Sequence, residues 1–274
     1  MTLLVRDEAD IVRSHLAFHL NAGVDFVVVT DNGSVAGTSD VLAEYERAGV
    51  ARVLREPVGE FRQREWQSRM ARLAAAEHGA DWVINSDVDE FWWPRGGSLA
   101  DVLGEIPGRY GVVQSLVRHF PPTADDEGPF HERLVHRLCE RAPVNYPLCA
   151  GRPFRKLVHR AHPDATVIEG GHEVRGVDLQ PLRGWYPIEC LHFPMRSRAQ
   201  VAAKGRMWTA AEEKFYGGPT VARAPGAAYH ALLGRAAEAD ASDAYYDSLA
   251  LSAADVAAGV ERGLLEPDVR VRDA

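Results

Sequence analysis

Residues 81–91 read DWVINSDVDEF, and this stretch decides how the rest of the chain is interpreted. Its apolar first part, Asp81–Ser86, is typical of a strand that is buried on both faces. Three carboxylates then fall within four residues, at Asp87, Asp89 and Glu90. Such crowding is unfavourable unless a positive group lies nearby, and hard divalent cations prefer carboxylate oxygens. In an extended chain Asp87 and Asp89 point the same way, so we predict that both face one cation or one nucleotide. The alternative is a solvated acidic turn.

On both sides of this stretch, apolar runs of strand length alternate with segments of helical periodicity. We predict strands at Thr2–Val5, Val24–Thr30, Val50–Leu54 and Gly111–His119, and helices at Glu8–Asn21, 38–48 and Glu60–His78. The alternation predicts an α/β fold, with a mainly parallel sheet flanked by helices. Ligands bind such sheets beyond the carboxyl ends of the strands. Asp31 and Asp87 stand directly after two of the predicted strands, so both are candidate ligand contacts; for Asp31 an ordinary loop role is equally compatible.

Length and composition exclude some classes of protein. The chain has 274 residues, 46% hydrophobic and 26% charged, and a net charge of −8, which argues against general nucleic-acid binding. No apolar run approaches the ~18 residues that a membrane span needs, and no signal-peptide pattern opens the chain, so we predict a cytoplasmic protein. We predict one α/β domain over residues 1–215 and a helical C-terminal appendage over residues 216–274, which packs on the domain or forms a homodimer contact.

Several short runs occur in an order that resembles a known family. They are LVRDEAD at 4–10, HLNAGVD at 19–25, TDNGS at 30–34 and DWVINSDVDEF at 81–91. Together they resemble glycosyltransferase family 2, in a short branch that is also similar to family 92. The resemblance covers residues 1 to about 95 well, and extends more loosely through Lys156, Gly171–His172 and 191–194. It implies a GT-A fold, with a nucleotide-binding half at about 1–95 and an acceptor half at about 96–215.

The resemblance also implies roles for individual residues. A nucleoside diphosphate sugar would bind at the sheet edge, with Mn²⁺ or Mg²⁺ bridging its diphosphate. Asp89 and His192 would ligate this metal, and Asp87 would contact the metal or the ribose. The remaining donor contacts would come from Glu8, Asp31, Arg64, Arg69 and Lys204.

The implied reaction is transfer of a sugar, with a UDP-sugar favoured, to a hydroxyl group of a small molecule or glycan. An inverting transfer needs a base near the acceptor hydroxyl. Glu173, after a Gly-Gly turn, is the leading candidate, and His172 is its neighbour or substitute; residues 125–127 are a rival set. Two alternatives stay open: a sugar nucleotidyltransferase and a non-catalytic module that binds sugar nucleotides.

Two positions depart from the family pattern. Asp7 replaces the usual Asn before Glu8, and Ala36 replaces an Asp in the loop after the second strand. Neither change removes the proposed metal carboxylates, but both bear on the preference for a nucleotide base.

Overall fold

The computed structural model describes residues 1–35, 37–57, 62–139, 155–216 and 239–274. The strands are β1 (Thr2–Val5), β2 (Val27–Asp31), β3 (Ala51–Arg55), β4 (Trp82–Asp87), β5 (Glu90–Pro94), β6 (Val112–His119), β7 (His136–Leu138), β8 (Arg155–Arg160), β9 (Thr166–Val167), β10 (Val174–Arg175), β11 (Pro181–Leu182), β12 (Ile188–His192) and β13 (Leu265–Pro267). The helices are α1 (Val12–Asn21), α2 (Thr38–Arg47), α3 (Gln63–Ala76), α4 (Leu99–Gly104), α5 (Phe130–Arg133), α6 (Arg198–Tyr216), α7 (Ala239–Leu249) and α8 (Ala253–Glu261).

These elements form two compact units. The first unit comprises Met1–Val117 and Phe154–Leu191, and the second comprises Arg118–Pro153 and His192–Ala274. The division into residues 1–215 and 216–274 stays a prediction. Ala36, the start of the predicted helix Glu60–His78, and residues 217–238 of the predicted helical appendage lie outside the described residues.

The central sheet has nine strands in the order β3-β2-β1-β4-β8-β6-β12-β5, with β11 paired to β6. Strands β1, β2, β3 and β4 pair in parallel, whereas β8 runs antiparallel to both β4 and β6. The predicted α/β fold, with a mainly parallel sheet flanked by helices, is therefore confirmed. Because β1, β2 and β4 are parallel, their carboxyl ends place Val5, Asp31 and Asp87 at one edge.

Several predicted boundaries shift for local reasons. The first helix begins at Val12 rather than Glu8, because the Glu8 carbonyl closes a turn by accepting the backbone N–H groups of Ile11 and Val12. The second strand begins at Val27, since the Val24 N–H is still bonded to the end of the first helix. Strand β5, whose apolar run directly follows the carboxylates, was not predicted from the sequence.

The core of the first unit forms between α3 and the sheet. Met70, Ala71 and Ala74 of α3 pack with Val28 of β2 and Val83 of β4, and all five are buried. Burying a large apolar side chain contributes about 1.5–3 kcal/mol, so this helix is a principal anchor for the parallel strands. On α1, Phe18 meets Phe91 of β5 edge to face, with 5.1 Å between ring centroids.

In the second unit, α7 and α8 are helices within the segment predicted to be a helical appendage, and α6 precedes them. Met195, Val201, Tyr246 and Leu249 form its buried cluster. Strands β7 and β13 pair antiparallel. Within the described part of the chain, no helix has both the length and the apolar character to cross a membrane.

Candidate active site

The acidic turn, defined here as Asp87–Glu90, joins β4 to β5. Strand β4 ends at Asp87, Val88 and Asp89 form the turn, and β5 begins at Glu90. The chain is therefore not extended between Asp87 and Asp89, so the alternation that would point both side chains the same way does not apply. The turn buries Asp89, which is 4% exposed, and leaves the Asp87 side chain one-third (33%) exposed.

Lys156 supplies the positive charge that the acidic turn requires. Its Nζ lies 2.8 Å from Asp87 Oδ2 and 2.8 Å from Glu90 Oε1, and its side chain is only 5% exposed. Burial disfavours the charged ammonium group, but the attraction of Asp87 and Glu90 outweighs this and raises the pKa of Lys156. The lysine thus stays protonated between the two carboxylates.

Glu90 is the most deeply buried carboxylate of this group. Its Oε2 accepts the Asp87 backbone N–H at 3.2 Å, which ties the start of β5 to the end of β4. Burial raises the pKa of Glu90 to about 8, the nearby Asp87 and Asp89 carboxylates add to the effect, and Lys156 opposes it. Sequence reasoning assigned no role to Glu90 or Lys156. The available signal was that Lys156 is one of three lysines in the chain.

A buried polar network lies beneath the turn. The Ser86 hydroxyl donates to the Asp87 carbonyl at 2.9 Å and accepts the indole N–H of Trp92 at 3.0 Å. His15 Nε2 lies 3.2 Å from the same hydroxyl. His19 is held neutral, because its Nδ1 donates to the His15 carbonyl and its Nε2 accepts the Trp92 backbone N–H. These bonds hold the backbone that presents the carboxylates in a single arrangement.

A glycine turn brings His172 into the electrostatic environment of the acidic turn. Gly170 and Gly171 have φ values of +74° and +66°, in the left-handed region. A Cβ on Gly170 would lie 2.8 Å from the His172 ring, and one on Gly171 would lie 3.1 Å from the Asn85 carbonyl oxygen. Both glycines are therefore required for this close approach.

The ring of His172 has a defined tautomer when neutral. Its Nδ1 donates to the Arg155 carbonyl at 2.9 Å, so the lone pair is on Nε2. Burial and the Lys156 ammonium group lower the pKa of His172, while Asp87 acts in the opposite direction. The imidazole is thus neutral at pH 7 and can accept a proton at Nε2.

Glu173, the other predicted base, is in a different setting. Its carboxylate is exposed and forms two bonds with Arg175, at 2.7 and 3.0 Å. The hydrogen bond from Arg175 lowers the pKa of Glu173. The rival Asp126 is an ion-pair partner of Arg198, at 2.6 Å within the second unit.

The loops after β1 and β2 are joined to each other. Asp7 Oδ1 accepts the Val35 N–H at 2.8 Å, and the Asp7 N–H donates to Ser34 Oγ at 3.0 Å. Asp7 has a φ of 54°, a conformation that Asn and Asp adopt more readily than most residues. The Asp7 departure therefore preserves this loop, because Asp serves the same backbone role as Asn. Glu8 follows in the same loop and is partly buried.

Asp31 is buried at the carboxyl end of β2, where it was predicted to contact the donor. Its Oδ1 accepts the Ser34 N–H at 2.9 Å, and its Oδ2 accepts the Ser39 hydroxyl at 3.1 Å. Both oxygens therefore already shape the β2–α2 loop. Arg69 pairs with Glu56, whose backbone N–H donates to the Asp31 carbonyl, whereas Arg64 is exposed on α3.

The second unit contains the remaining candidates, His192 and Lys204. His192 Nδ1 lies 3.0 Å from His119 Nδ1, so one of these two nitrogens donates to the other. Lys204 lies on α6 and is partly buried. In the ranges that the structure describes, no group of three or more His, Cys, Asp or Glu side chains is arranged to hold a metal ion. The oxygens of Asp87 and Asp89 fit Mg²⁺ or Mn²⁺ chemically, although Asp87 Oδ2 also faces Lys156.

Comparison with known proteins bears on the same region. The model of glycosyltransferase family 92 matches residues 2–120, which include the acidic turn and the loops after β1 and β2. This match supports a glycosyltransferase assignment and confirms the resemblance found in the sequence. Two crystal structures of S. aureus TarS 1–349, one in complex with UDP, are similar at TM-scores of 0.38 and 0.39 and 11% identity. They cover 86% and 98% of this chain, and 68% and 87% of the TarS chains. No curated protein sequence matches the chain.

Proposed function

We propose that this protein transfers a sugar from a nucleoside diphosphate sugar, with a UDP-sugar favoured, to a hydroxyl group of an acceptor. The observation that carries the proposal is the acidic turn, whose buried and half-exposed carboxylates stand at the carboxyl edge of the parallel strands. That edge is where α/β sheets bind nucleotides. We propose that the reaction takes place in the cytoplasm.

In this proposal the nucleotide lies across the loops that follow β1 and β2. Glu8 and Asp31 contact the base and ribose, and Arg64 and Arg69 of α3 border the same pocket. Asp31 supports such a role because it is buried in a loop of fixed shape. Lys204 is proposed to offset the charge of the diphosphate.

A divalent cation, Mn²⁺ or Mg²⁺, is proposed as the cofactor, held by Asp89, Asp87 and His192. When bound it would neutralise charge that develops on the leaving diphosphate. The hydrogen bond to His119 would orient His192, as partners of metal-binding histidines commonly do.

The test is a thermal-shift screen of nucleoside diphosphates with and without Mn²⁺. A nucleotide at tens of times its Kd stabilises the folded state by roughly 2 kcal/mol. Asp89→Asn removes one carboxylate charge with little change of shape, and we expect it to abolish the Mn²⁺-dependent part of this shift. Glu44→Gln, at an exposed ion pair with Arg13, is the matched control. A Mn²⁺-dependent shift that is the same in Asp89→Asn and wild type contradicts the metal site.

For the base, the geometry favours His172 over Glu173. Both residues are exposed, but His172 is influenced by Lys156 and Asp87 of the acidic turn, whereas the Glu173 carboxylate is paired with Arg175. An inverting transfer, in which His172 Nε2 accepts the proton of the acceptor hydroxyl, is therefore proposed, with Glu173 as the alternative base.

Turnover separates this proposal from a non-catalytic module. A transferase hydrolyses bound UDP-sugar slowly in the absence of acceptor, whereas a binding module leaves it intact. A nucleotidyltransferase would instead release diphosphate from a nucleoside triphosphate and a sugar phosphate.

A homodimer through the C-terminal helices is proposed because α8 buries none of its residues and leaves Val260 37% exposed. Light scattering of the protein eluting from a size-exclusion column tests this proposal.

A further inference from the structure

A cavity of about 400 Å³ lies at the end of β5 that is distant from the acidic turn. Arg95, at the cavity, is five positions along the chain from Glu90, a distance of about 16 Å at 3.3 Å per residue. The volume falls in the lower part of the ~300–1,000 Å³ range of small-molecule sites. The cavity therefore has the size of a ligand site and is separate from the proposed donor site.

Trp185 forms an aromatic wall of this cavity. Trp185 is 51% exposed. In the described part of the chain, the other exposed large hydrophobic residues are valines, so Trp185 is the aromatic member of this set. Exposing an indole to water is unfavourable, and a mixed aromatic and polar lining is typical of ligand sites. A flat ligand face with C–H groups would cover this ring.

The polar groups of the cavity are held in place. Arg95 pairs with Glu189 at 3.0 Å, and its backbone N–H donates to the Pro187 carbonyl at 2.9 Å. Asp101 accepts both the N–H and the hydroxyl of Ser98 at 2.8 Å. Fixed donors and acceptors lose little conformational entropy when a ligand binds.

A glycine is required at the cavity wall. Gly97 has a φ of +63°, and a Cβ there would lie 2.8 Å from Asp101 Oδ2. The backbone at Gly97 thus remains without a side chain, and this allows the Asp101 carboxylate to approach it closely. Glu105, one residue beyond α4, adds a second exposed carboxylate to the lining.

The charges of this lining indicate the class of ligand. Glu189 neutralises Arg95, and Asp101 and Glu105 give a negative balance, so an anionic ligand such as a nucleotide is disfavoured. A neutral sugar ring fits the set: its C–H face covers the indole, and its hydroxyl groups donate to carboxylates and accept from the guanidinium.

We infer that the Trp185 cavity binds a neutral sugar unit of a glycan acceptor, remote from the hydroxyl group that is glycosylated. This inference rests on the proposed function and names the class of its acceptor. A sugar chain held at both places would bind more tightly than either contact alone allows.

The test uses four neutral trisaccharides as probes: maltotriose, cellotriose, chitotriose and mannotriose. Binding is followed by saturation-transfer NMR and by titration of tryptophan fluorescence. We expect at least one probe to bind the wild type, and Trp185→Ala to weaken it by about tenfold or more, as truncation of a central aromatic does. Trp185→Phe keeps an aromatic face and is expected to retain most of the affinity, while Glu44→Gln, at an exposed ion pair elsewhere in the chain, is the control.

UDP binding in the presence of Mn²⁺ is measured in the same variants and is expected not to change. If UDP does not bind the wild type, the proposed function fails. The trisaccharide titration still shows whether the Trp185 cavity binds a sugar. The inference is overturned if no trisaccharide binds, if Trp185→Ala binds as the wild type does, or if choline binds at Trp185 and the sugars do not.

Discussion

The Lys156 ammonium group lies 2.8 Å from Asp87 Oδ2, although the two residues are 69 positions apart in the chain. The antiparallel pairing of β8 with β4 brings them together, and Glu90 occupies the other side of the same ammonium group. A buried cation between two carboxylates is costly to break, because removal of one partner leaves uncompensated charge. The acidic turn therefore depends on a residue from a distant strand.

The first prediction is that Lys156→Met destabilises the fold by about 3–5 kcal/mol, as expected when a buried ion pair loses one partner. Urea unfolding measures the change. Adding Asp87→Asn to Lys156→Met removes a carboxylate charge that faced the lost ammonium group, so the double variant should recover part of the loss. Arg13→Met, at an exposed ion pair, serves as the control and should change little. A Lys156→Met protein as stable as the control would contradict the structural role of this lysine.

The second prediction concerns the pH dependence of stability. Burial lowers the pKa of His159 to about 4, whereas an unfolded histidine titrates near 6.5. Between these values the unfolded chain binds the extra proton, so this contribution to stability is present above pH 6.5 and is lost as the pH falls towards 4. Its slope reaches at most about 1.4 kcal/mol per pH unit. His15, whose pKa burial lowers to about 3, acts in the same direction, and Glu90 acts in the opposite one.

A single variant isolates the His159 contribution from the others. His159→Gln removes one titrating group, so the stability difference between it and the wild type should narrow as the pH falls from 6.5 to 4. Urea midpoints at half-unit pH steps give this difference. If the two curves stay parallel across that window, His159 does not have the lowered pKa.

The third prediction separates the structural and binding roles of Asp31. Asp31→Ala leaves the Ser34 N–H without its side-chain acceptor and the Ser39 hydroxyl with the Ser34 carbonyl alone, and it removes the carboxylate proposed to contact the nucleotide. We expect the binding free energy of the preferred nucleoside diphosphate to weaken by about 1–3 kcal/mol, measured as an increase in its Kd. Ser39→Ala loses one of the same loop bonds but keeps the carboxylate. If Ser39→Ala weakens nucleotide binding as much as Asp31→Ala does, the effect comes from the shape of the loop. A direct contact between Asp31 and the nucleotide is then refuted.

Local sequence patterns predicted most of the fold, whereas contacts between residues that are far apart in the chain could not be predicted. The strand before Asp87 and the parallel β1, β2 and β4 follow from short apolar runs between helical segments. The partner of Asp87 could not be found in this way, because Lys156 arrives on a strand whose sequence signal is weak. The turn at Val88–Asp89 was the alternative interpretation of the carboxylates, and residue types alone did not favour it over an extended chain.

For the proposed base, the sequence located the Gly-Gly turn but did not distinguish its two following residues. Only the structure shows that Arg175 pairs with Glu173, and that the ring of His172 lies over Gly170 and donates to a carbonyl of β8. These contacts depend on the way the turn folds back against β4 and β8. Spacing along the chain contains no information about them.

The fourth prediction is that His172→Gln lowers kcat by roughly 10²–10⁴-fold, the usual contribution of a general base, with donor affinity near that of the wild type. Glutamine keeps a polar side chain of similar reach but cannot take up the proton of the acceptor hydroxyl. Glu173→Gln, at the adjacent exposed position, is the matched variant and should keep kcat near the wild-type value. The measurement is initial rate against acceptor concentration, with the donor Kd determined separately by thermal shift. If Glu173→Gln shows the large loss and His172→Gln does not, the base is Glu173. A near-normal kcat in both variants would move the role to Asp126 and its neighbours, or to a retaining reaction in which no protein base need activate the acceptor in this way.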